Sequence, residues 1–276
     1  VAAPAKNAIL LAAFGSRLPG ASDSLKAMQA RAQELYPDFR VETALTSGVV
    51  RRHKAAVGSR HGRSPEDILR GLREEGVTRL AVQSLHVVPG DEFLALERLA
   101  ASMQGGQGAG GGGFERVTVG RPLLGNGEDI RRAARAILAM LPADRAPGEA
   151  ALLMGHGTKG RANGVYRDLE RELRALDRRV LIGALEAEPG LAAKVGELKA
   201  LEVSRVHLLP LLFARGVHVT RDMAGEGAGE GGDSWRAGLC AAGFDCVPHL
   251  KGAGEHAQLA DIWLDHLREA VDRLLA

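Results

Sequence analysis

Arg79-Leu-Ala-Val-Gln-Ser-Leu-His-Val-Val-Pro-Gly-Asp-Glu-Phe93 can be laid without gaps on Arg205-Val-His-Leu-Leu-Pro-Leu-Leu-Phe-Ala-Arg-Gly-Val-His-Val219. Each stretch opens with an apolar run of strand length and passes a glycine into a new element. The pairing sets Glu92 against His218. Two further matches occur in the same order. Ile9–Ser16 (ILLAAFGS) lies from Leu10 onward on Leu152–Thr158 (LLMGHGT), which sets Phe14 against His156, and Ala44-Leu45-Thr46 lies on Ala184-Leu185-Glu186. Three matches in one order predict two copies of one unit, an N-terminal half over 1–125 and a C-terminal half over 126–276.

Working outward, strand-like runs alternate with helical patterns. Strands are predicted at Asn7–Phe14, Val41–Thr46, Thr78–Val88, Val117–Val119, Ala150–Met154, Val180–Leu185, Ser204–Phe213 and Phe244–Val247. Helices are predicted near Ser22–Leu35 and at Ser64–Glu75, Asp91–Met103 and Glu128–Leu141. The Ser64-Pro-Glu-Asp67 start places proline at the first helical position, where its missing N–H costs nothing. Alternation of this kind predicts an α/β fold with parallel sheets flanked by helices. The repeat extends this to two similar α/β units facing each other across a cleft. Two glycine-rich stretches, Gly105–Gly113 and Gly225–Gly232, interrupt the pattern and read as exposed loops, the second as a possible flap.

Composition sets the outer limits. The chain has 276 residues, 45% hydrophobic and 25% charged, the balance of a globular protein. A net charge of +2 gives no global case for nucleic acid, and 4% aromatics argue against base-stacking platforms. No apolar run approaches the roughly 20 residues of a spanning helix, so an integral membrane protein is not expected. Cys240 and Cys246 cannot build a disulfide framework or a four-thiolate zinc site. Two buried free thiols are the favoured reading, with a single bridge as the alternative. The opening Val1-Ala-Ala-Pro-Ala5 resembles the end of an export signal, so a periplasmic location is expected, with the cytoplasm as alternative.

Three residues stand just past strand ends, where open α/β sheets place their ligands. His156 lies between Gly155 and Gly157, Glu186 ends the Val180–Leu185 run, and His218 follows Ser204–Phe213. Two imidazoles and a carboxylate suit a divalent first-row metal such as cobalt, nickel, iron or zinc, with positions left open for a substrate. Glu188 could take the place of Glu186; position favours Glu186.

The motifs around these residues carry a resemblance. Met154-Gly-His-Gly157, Gly183-Ala-Leu-Glu186, Gly216-Val-His-Val-Thr-Arg-Asp-Met-Ala224 and Asp233-Ser-Trp235 resemble those of the CbiK-type sirohydrochlorin cobaltochelatases, class II chelatases of the ferrochelatase-like superfamily. Ala13-Phe-Gly-Ser16, Thr46-Ser-Gly48 and Gln83–Glu92 match as well, so the likeness runs from about residue 7 to 275. It implies a lyase that inserts Co²⁺, or alternatively Fe²⁺, into sirohydrochlorin in cobalamin or sirohaem-type biosynthesis. It implies no organic cofactor, and it places His156, Glu186 and His218 at the metal-binding and catalytic positions. The longer glycine run at 225–232 and the Gly105–Gly113 insertion depart from the family.

The implied substrate bears eight carboxylates, for which Arg17, Arg51 and Arg52 are the expected partners. His86 and Glu92 are further candidate substrate contacts. The basic set Arg51, Arg52, His53 and Lys54 reads as the cleft mouth or as a solvated face. Ser59-Arg-His-Gly62 is similar to a histidine-phosphatase motif but lacks the apolar strand that should precede it. His207 reads as structural, and His249, His256 and His266 as surface histidines. A homo-oligomer is expected. The rival reading, from another class, is a non-catalytic carrier of tetrapyrrole or metal.

Overall fold

The computed structural model describes residues 6–18, 22–56, 62–105, 113–158, 160–225, 228–229 and 232–276. The expectations resting on Val1–Ala5, on Ser59–His61 and on most of the two glycine-rich stretches fall outside these residues. The chain divides into two compact units, one of residues 1–123 with 260–276 and one of 124–259.

The first unit contains β1 (Asn7–Ala13), α1 (Asp23–Leu35), β2 (Arg40–Leu45), α2 (Gly48–Ala56), α3 (Pro65–Glu74), β3 (Arg79–Ser84), α4 (Asp91–Ser102) and β4 (Arg116–Gly120). Its four strands are parallel in the order β2-β1-β3-β4. Leu10, Leu80 and Val82 pack with Ile68, Leu69 and Leu72 of α3 and with Phe114. Helix α3 starts as expected, with Ser64 Oγ accepting from Asp67 N at 3.1 Å.

The second unit contains α5 (Gly127–Met140), β5 (Ala150–Gly155), α6 (Gly164–Leu176), β6 (Val180–Ala184), α7 (Leu191–Ala200) and β7 (Arg205–Pro210). A π-helix at His218–Met223, a short antiparallel pair β8 (Ala228–Gly229) and β9 (Gly232–Asp233), α8 (Trp235–Ala241) and β10 (Asp245–Pro248) follow. Its parallel sheet runs β10-β7-β5-β6, the same order as the first unit read from the other edge. Leu152, Leu181, Leu208, Met223, Trp235 and Leu239 form its core.

The repeat is visible in the hydrogen-bond register. Ala12 pairs with Ser84 in the first sheet and Met154 with Pro210 in the second, as the two longer sequence matches require. Gly15 and Gly157, equated by the same alignment, both take positive φ, 91° and 89°. The third match is off by one residue. Ala13 pairs with Leu45 and Gly155 with Ala184, so Leu45, not Ala44, corresponds to Ala184. Backbone bonds past the strand ends agree. Ser47 N donates to Phe14 O, and Glu186 N donates to His156 O. Ser47 is therefore the counterpart of Glu186.

Four expectations are corrected. The run Thr78–Val88 is strand only to Ser84, and Ser204–Phe213 only to Pro210, because both chains leave the sheet after one last bond to the central strand. The basic set at 51–54, read as cleft mouth or solvated face, lies on a helix, α2, which overturns neither reading. The last helix, α9 (Ala257–Leu275), does not stay with the C-terminal half: residues 260–276 join the first unit. Thr118 Oγ1 donates to Ala270 O, Trp263 Nε1 donates to His86 O, and Trp263 is fully buried. For the same reason His266 is buried against Arg121 O rather than at the surface. The two cysteines are free; Cys246 is buried and its thiol pushed up to about 12 by burial, while Cys240 is exposed. Among the described residues no helix is long and apolar enough to cross a membrane.

Candidate metal site

The strand ends of the second unit bring His156, Glu186 and His218 together. One ligand atom from each lies within 4.8 Å of the other two. Among the described residues this is the group of three that could hold a metal ion. The imidazoles of His156 and His218 meet nearly edge to face, with centroids 4.8 Å apart and planes at 84°. His156 Nδ1 lies 3.8 Å from Glu186 Oε2, and Glu186 is the most exposed of the three. Nitrogens approaching from two directions, with a carboxylate on an open side, can hold a first-row divalent ion and leave coordination positions free.

Each candidate ligand is placed by local chemistry. Beyond the strands the ladder continues for two bonds, Leu185 N to Gly155 O and Glu186 N to His156 O, both 2.9 Å. These fix Glu186 beside His156. Gly157 permits the turn: its φ is positive, and a side chain there would lie 3.0 Å from Ala187 N and 3.2 Å from the Glu186 carbonyl carbon. His218 opens the π-helix, whose geometry puts Asp222 on the same face. His218 Nδ1–H donates to Asp222 Oδ2 at 2.6 Å, which leaves Nε2 with its lone pair free for an ion. Burial works against the charge on Asp222, but hydrogen bonds from Arg221 and His218 outweigh it and hold the carboxyl below its ordinary pKa. Glu188 is otherwise engaged: its carboxylate accepts from Gly190 N at 2.9 Å, at the start of α7.

Sequence reasoning missed Asp222 and Tyr166. The four-residue spacing of His218 and Asp222 was a usable signal on a helical segment. Tyr166, in the first turn of α6, carried none.

The remaining candidates belong to the first unit. Arg17 and Arg52 are exposed. Arg51 is bound to its own unit, Nη1 donating to Leu45 O and Thr46 O at 2.7 and 2.6 Å, which ties α2 to the end of β2. Glu92 is half-buried in the first turn of α4, the place His218 holds in the second unit. His86 stands just past β3 with Nε2 3.1 Å from Thr46 Oγ1 and Nδ1 2.8 Å from Ser84 Oγ.

Burial lowers the His86 imidazole to about 4. The unfolded chain, with an ordinary value near 6.5, therefore takes up the proton first as pH falls. The neutral ring contributes its full stability above about pH 6.5 and loses it progressively down to about pH 4. The loss amounts to at most about 3 kcal/mol. His86→Gln, which cannot titrate, should flatten the fall in urea midpoint between pH 6.5 and 4 relative to the parent. Parallel pH curves for the two proteins would refute this.

Two parallel α/β units of one strand order, the second with a group of two histidines and a glutamate that could hold a metal ion, make up an architecture of the chelatase type. Solved structures share the fold. SirB from Bacillus subtilis with Fe³⁺ matches at a TM-score of 0.62 and 15% identity, over 97% of each chain. SirB from B. subtilis subspecies spizizenii in complex with cobalt matches at 0.60 and 14%, over 97% of this chain and 96% of that one. The sequence is more specific. Residues 7–272 match the family model described as cobalt chelatase (CbiK). The sirohydrochlorin cobaltochelatase CbiKC of Nitratidesulfovibrio vulgaris is 39% identical over 272 residues, 98% of this chain and 92% of the relative. The sirohydrochlorin cobaltochelatase of Salmonella typhimurium is 29% identical over 97% of both chains. The chain belongs to the CbiK cobalt chelatase family.

Proposed function

We propose that this protein inserts Co²⁺ into sirohydrochlorin, with Fe²⁺ as the alternative metal substrate. The observation that carries the reading is the convergence of His156, Glu186 and His218 on one point at the strand ends. Insertion forms the metal–nitrogen bonds of the macrocycle, releases two protons from pyrrole nitrogens and strips the ion of its other ligands. Imidazole nitrogens suit both halves of that exchange: they can hold a first-row ion, and can take a proton once the ion has left. His156 and His218 hold the ion; once it has passed to the macrocycle one of them takes one pyrrole proton, and the other proton leaves to water. Glu186 completes the ligand set and offsets the ion's charge. Asp222 keeps the Nε2 lone pair of His218 facing the ion. The proposed contacts of the first unit with the substrate are Arg17, Arg51 and Arg52 for its carboxylates, with His86 and Glu92.

The test is turnover. Protein at a small fraction of the sirohydrochlorin concentration, with Co²⁺ in excess, should convert the tetrapyrrole through many cycles, read by its visible absorbance. Conversion that stops at one equivalent per chain would overturn the enzyme in favour of a carrier. Competition with Fe²⁺ decides the metal, because the affinity order of divalent ions places both in mid-series.

A further inference from the structure

Tyr166 is the third residue of α6 and 4% exposed. Its ring lies against the end of β5: a Cβ on Gly155 would stand 2.7 Å from Cε1 and Cζ and 2.9 Å from the phenolic oxygen. That oxygen receives the backbone N–H groups of His156 and Gly157. The same two residues mark the end of the sheet on this side. The last bond between β5 and β7 runs from Leu211 N to Met154 O, two residues before His156. The carbonyls of Gly155 and His156 are taken by Leu185 and Glu186. The backbone that carries the His156 side chain is thus held from one side by the extension of β6 and from the other by one hydroxyl oxygen.

Among the described residues the first unit lacks this arrangement. Its helix α1 is thirteen residues long, like α6, but carries Leu25 at the third position. Ala13 stands where Gly155 stands, and Phe14 where His156 stands. The tyrosine and the glycine that makes room for it accompany the metal-ligand histidine.

We infer that Tyr166 is a positioning residue for metal binding, its hydroxyl setting the direction in which the His156 imidazole leaves the strand end. The inference rests on the metal-site reading above. Removing the hydroxyl leaves the ring in place and two amides without their acceptor, so the turn at 156–157 loosens and the imidazole loses its fixed aim. Partners that orient metal ligands affect affinity by about 10- to 100-fold.

The experiment uses the whole protein and Co²⁺ alone as probe. Tyr166→Phe should weaken Co²⁺ binding by about 10- to 100-fold, alter the visible absorption of the bound ion and raise KM for Co²⁺. KM for sirohydrochlorin should stay unchanged. Gly155→Ala, which keeps the hydroxyl but pushes the ring off the amides, should move the same quantities in the same direction. Thermal melts are run on both, and if one fails to fold the other carries the test. Wild-type affinity and spectrum in Tyr166→Phe would overturn the inference. His156→Ala is the control: if it too binds Co²⁺ like the parent, the metal site itself is misassigned. If it loses the ion while Tyr166→Phe keeps it, only the role of Tyr166 falls.

Discussion

His156→Ala and His218→Ala should each lower the rate of cobalt insertion by on the order of 100- to 10,000-fold while leaving the protein folded. The size follows from double duty: each variant removes a ligand, and one of them also removes the proton acceptor. The separation from folding follows from burial. The two side chains are 28% and 31% exposed, so truncation opens no closed cavity. His218→Ala does not leave Asp222 stranded, because Arg221 Nε still donates to its Oδ1 at 2.8 Å. Near-parental melting curves with lost turnover are the expected pair of results. Near-parental turnover in either variant would remove that residue from the site. Glu186→Gln should cost less, since the carboxylate is 60% exposed and water can take its coordination position.

That these residues could be found in the sequence has a physical cause. Parallel strands covered on both faces are written as apolar runs, and an α/β sheet presents its chemistry just past their carboxyl ends. His156 follows such a run directly, Glu186 two residues after β6 and His218 only after a further loop, so strand and candidate ligand are read together for the first two and through the repeat for the third. The glycines beside His156 gave the same message in backbone terms. Register was less accessible. Ala44-Leu45 and Ala184-Leu185 match as letters, but which residue stands opposite which is decided by hydrogen bonds to β1 and β5. The true pairing is one step away. Helix α2 was missed because Arg51-Arg-His-Lys54 shows no apolar period. The amphipathic pattern of α9 states which of its faces is buried but not against what, and the helix went to the first unit. Tyr166 and Asp222 work through partners. One needed the fold to be seen, and the other needed only its spacing from His218 to be noticed.

Lys194→Met should destabilise the protein by roughly 3–5 kcal/mol, the largest stability effect expected of any single substitution considered. The side chain of Lys194 is 1% exposed, and its ammonium donates to Glu170 Oε1 and Oε2 at 2.8 and 2.9 Å and to Glu197 Oε1 at 2.8 Å. Three acceptors for three protons leave the buried cation fully satisfied. Glu170 also accepts from Ile182 N in the middle of β6 at 3.2 Å. The network therefore joins α6 and α7 to β6, the strand that leads to Glu186. It lies behind Gly183, where a side chain would come 3.2 Å from Lys194 Cγ and 2.7 Å from Trp235 Cη2. Methionine fills the volume of the lysine stem but leaves the Glu170 carboxylate buried without its counter-ion, and that orphaned charge is the source of the cost. The double variant Lys194→Met/Glu170→Gln separates this from lost packing. Glutamine keeps an oxygen for Ile182 N and carries no charge, so most of the lost stability should return. A double variant as unstable as the single one would mean that the lysine stem, and not the orphaned carboxylate, sets the cost. The catalytic consequence runs the other way from that of the histidine variants. At temperatures where Lys194→Met is folded, cobalt binding should stay within a few-fold of the parent, because the network holds β6 in place and touches none of the three ligands.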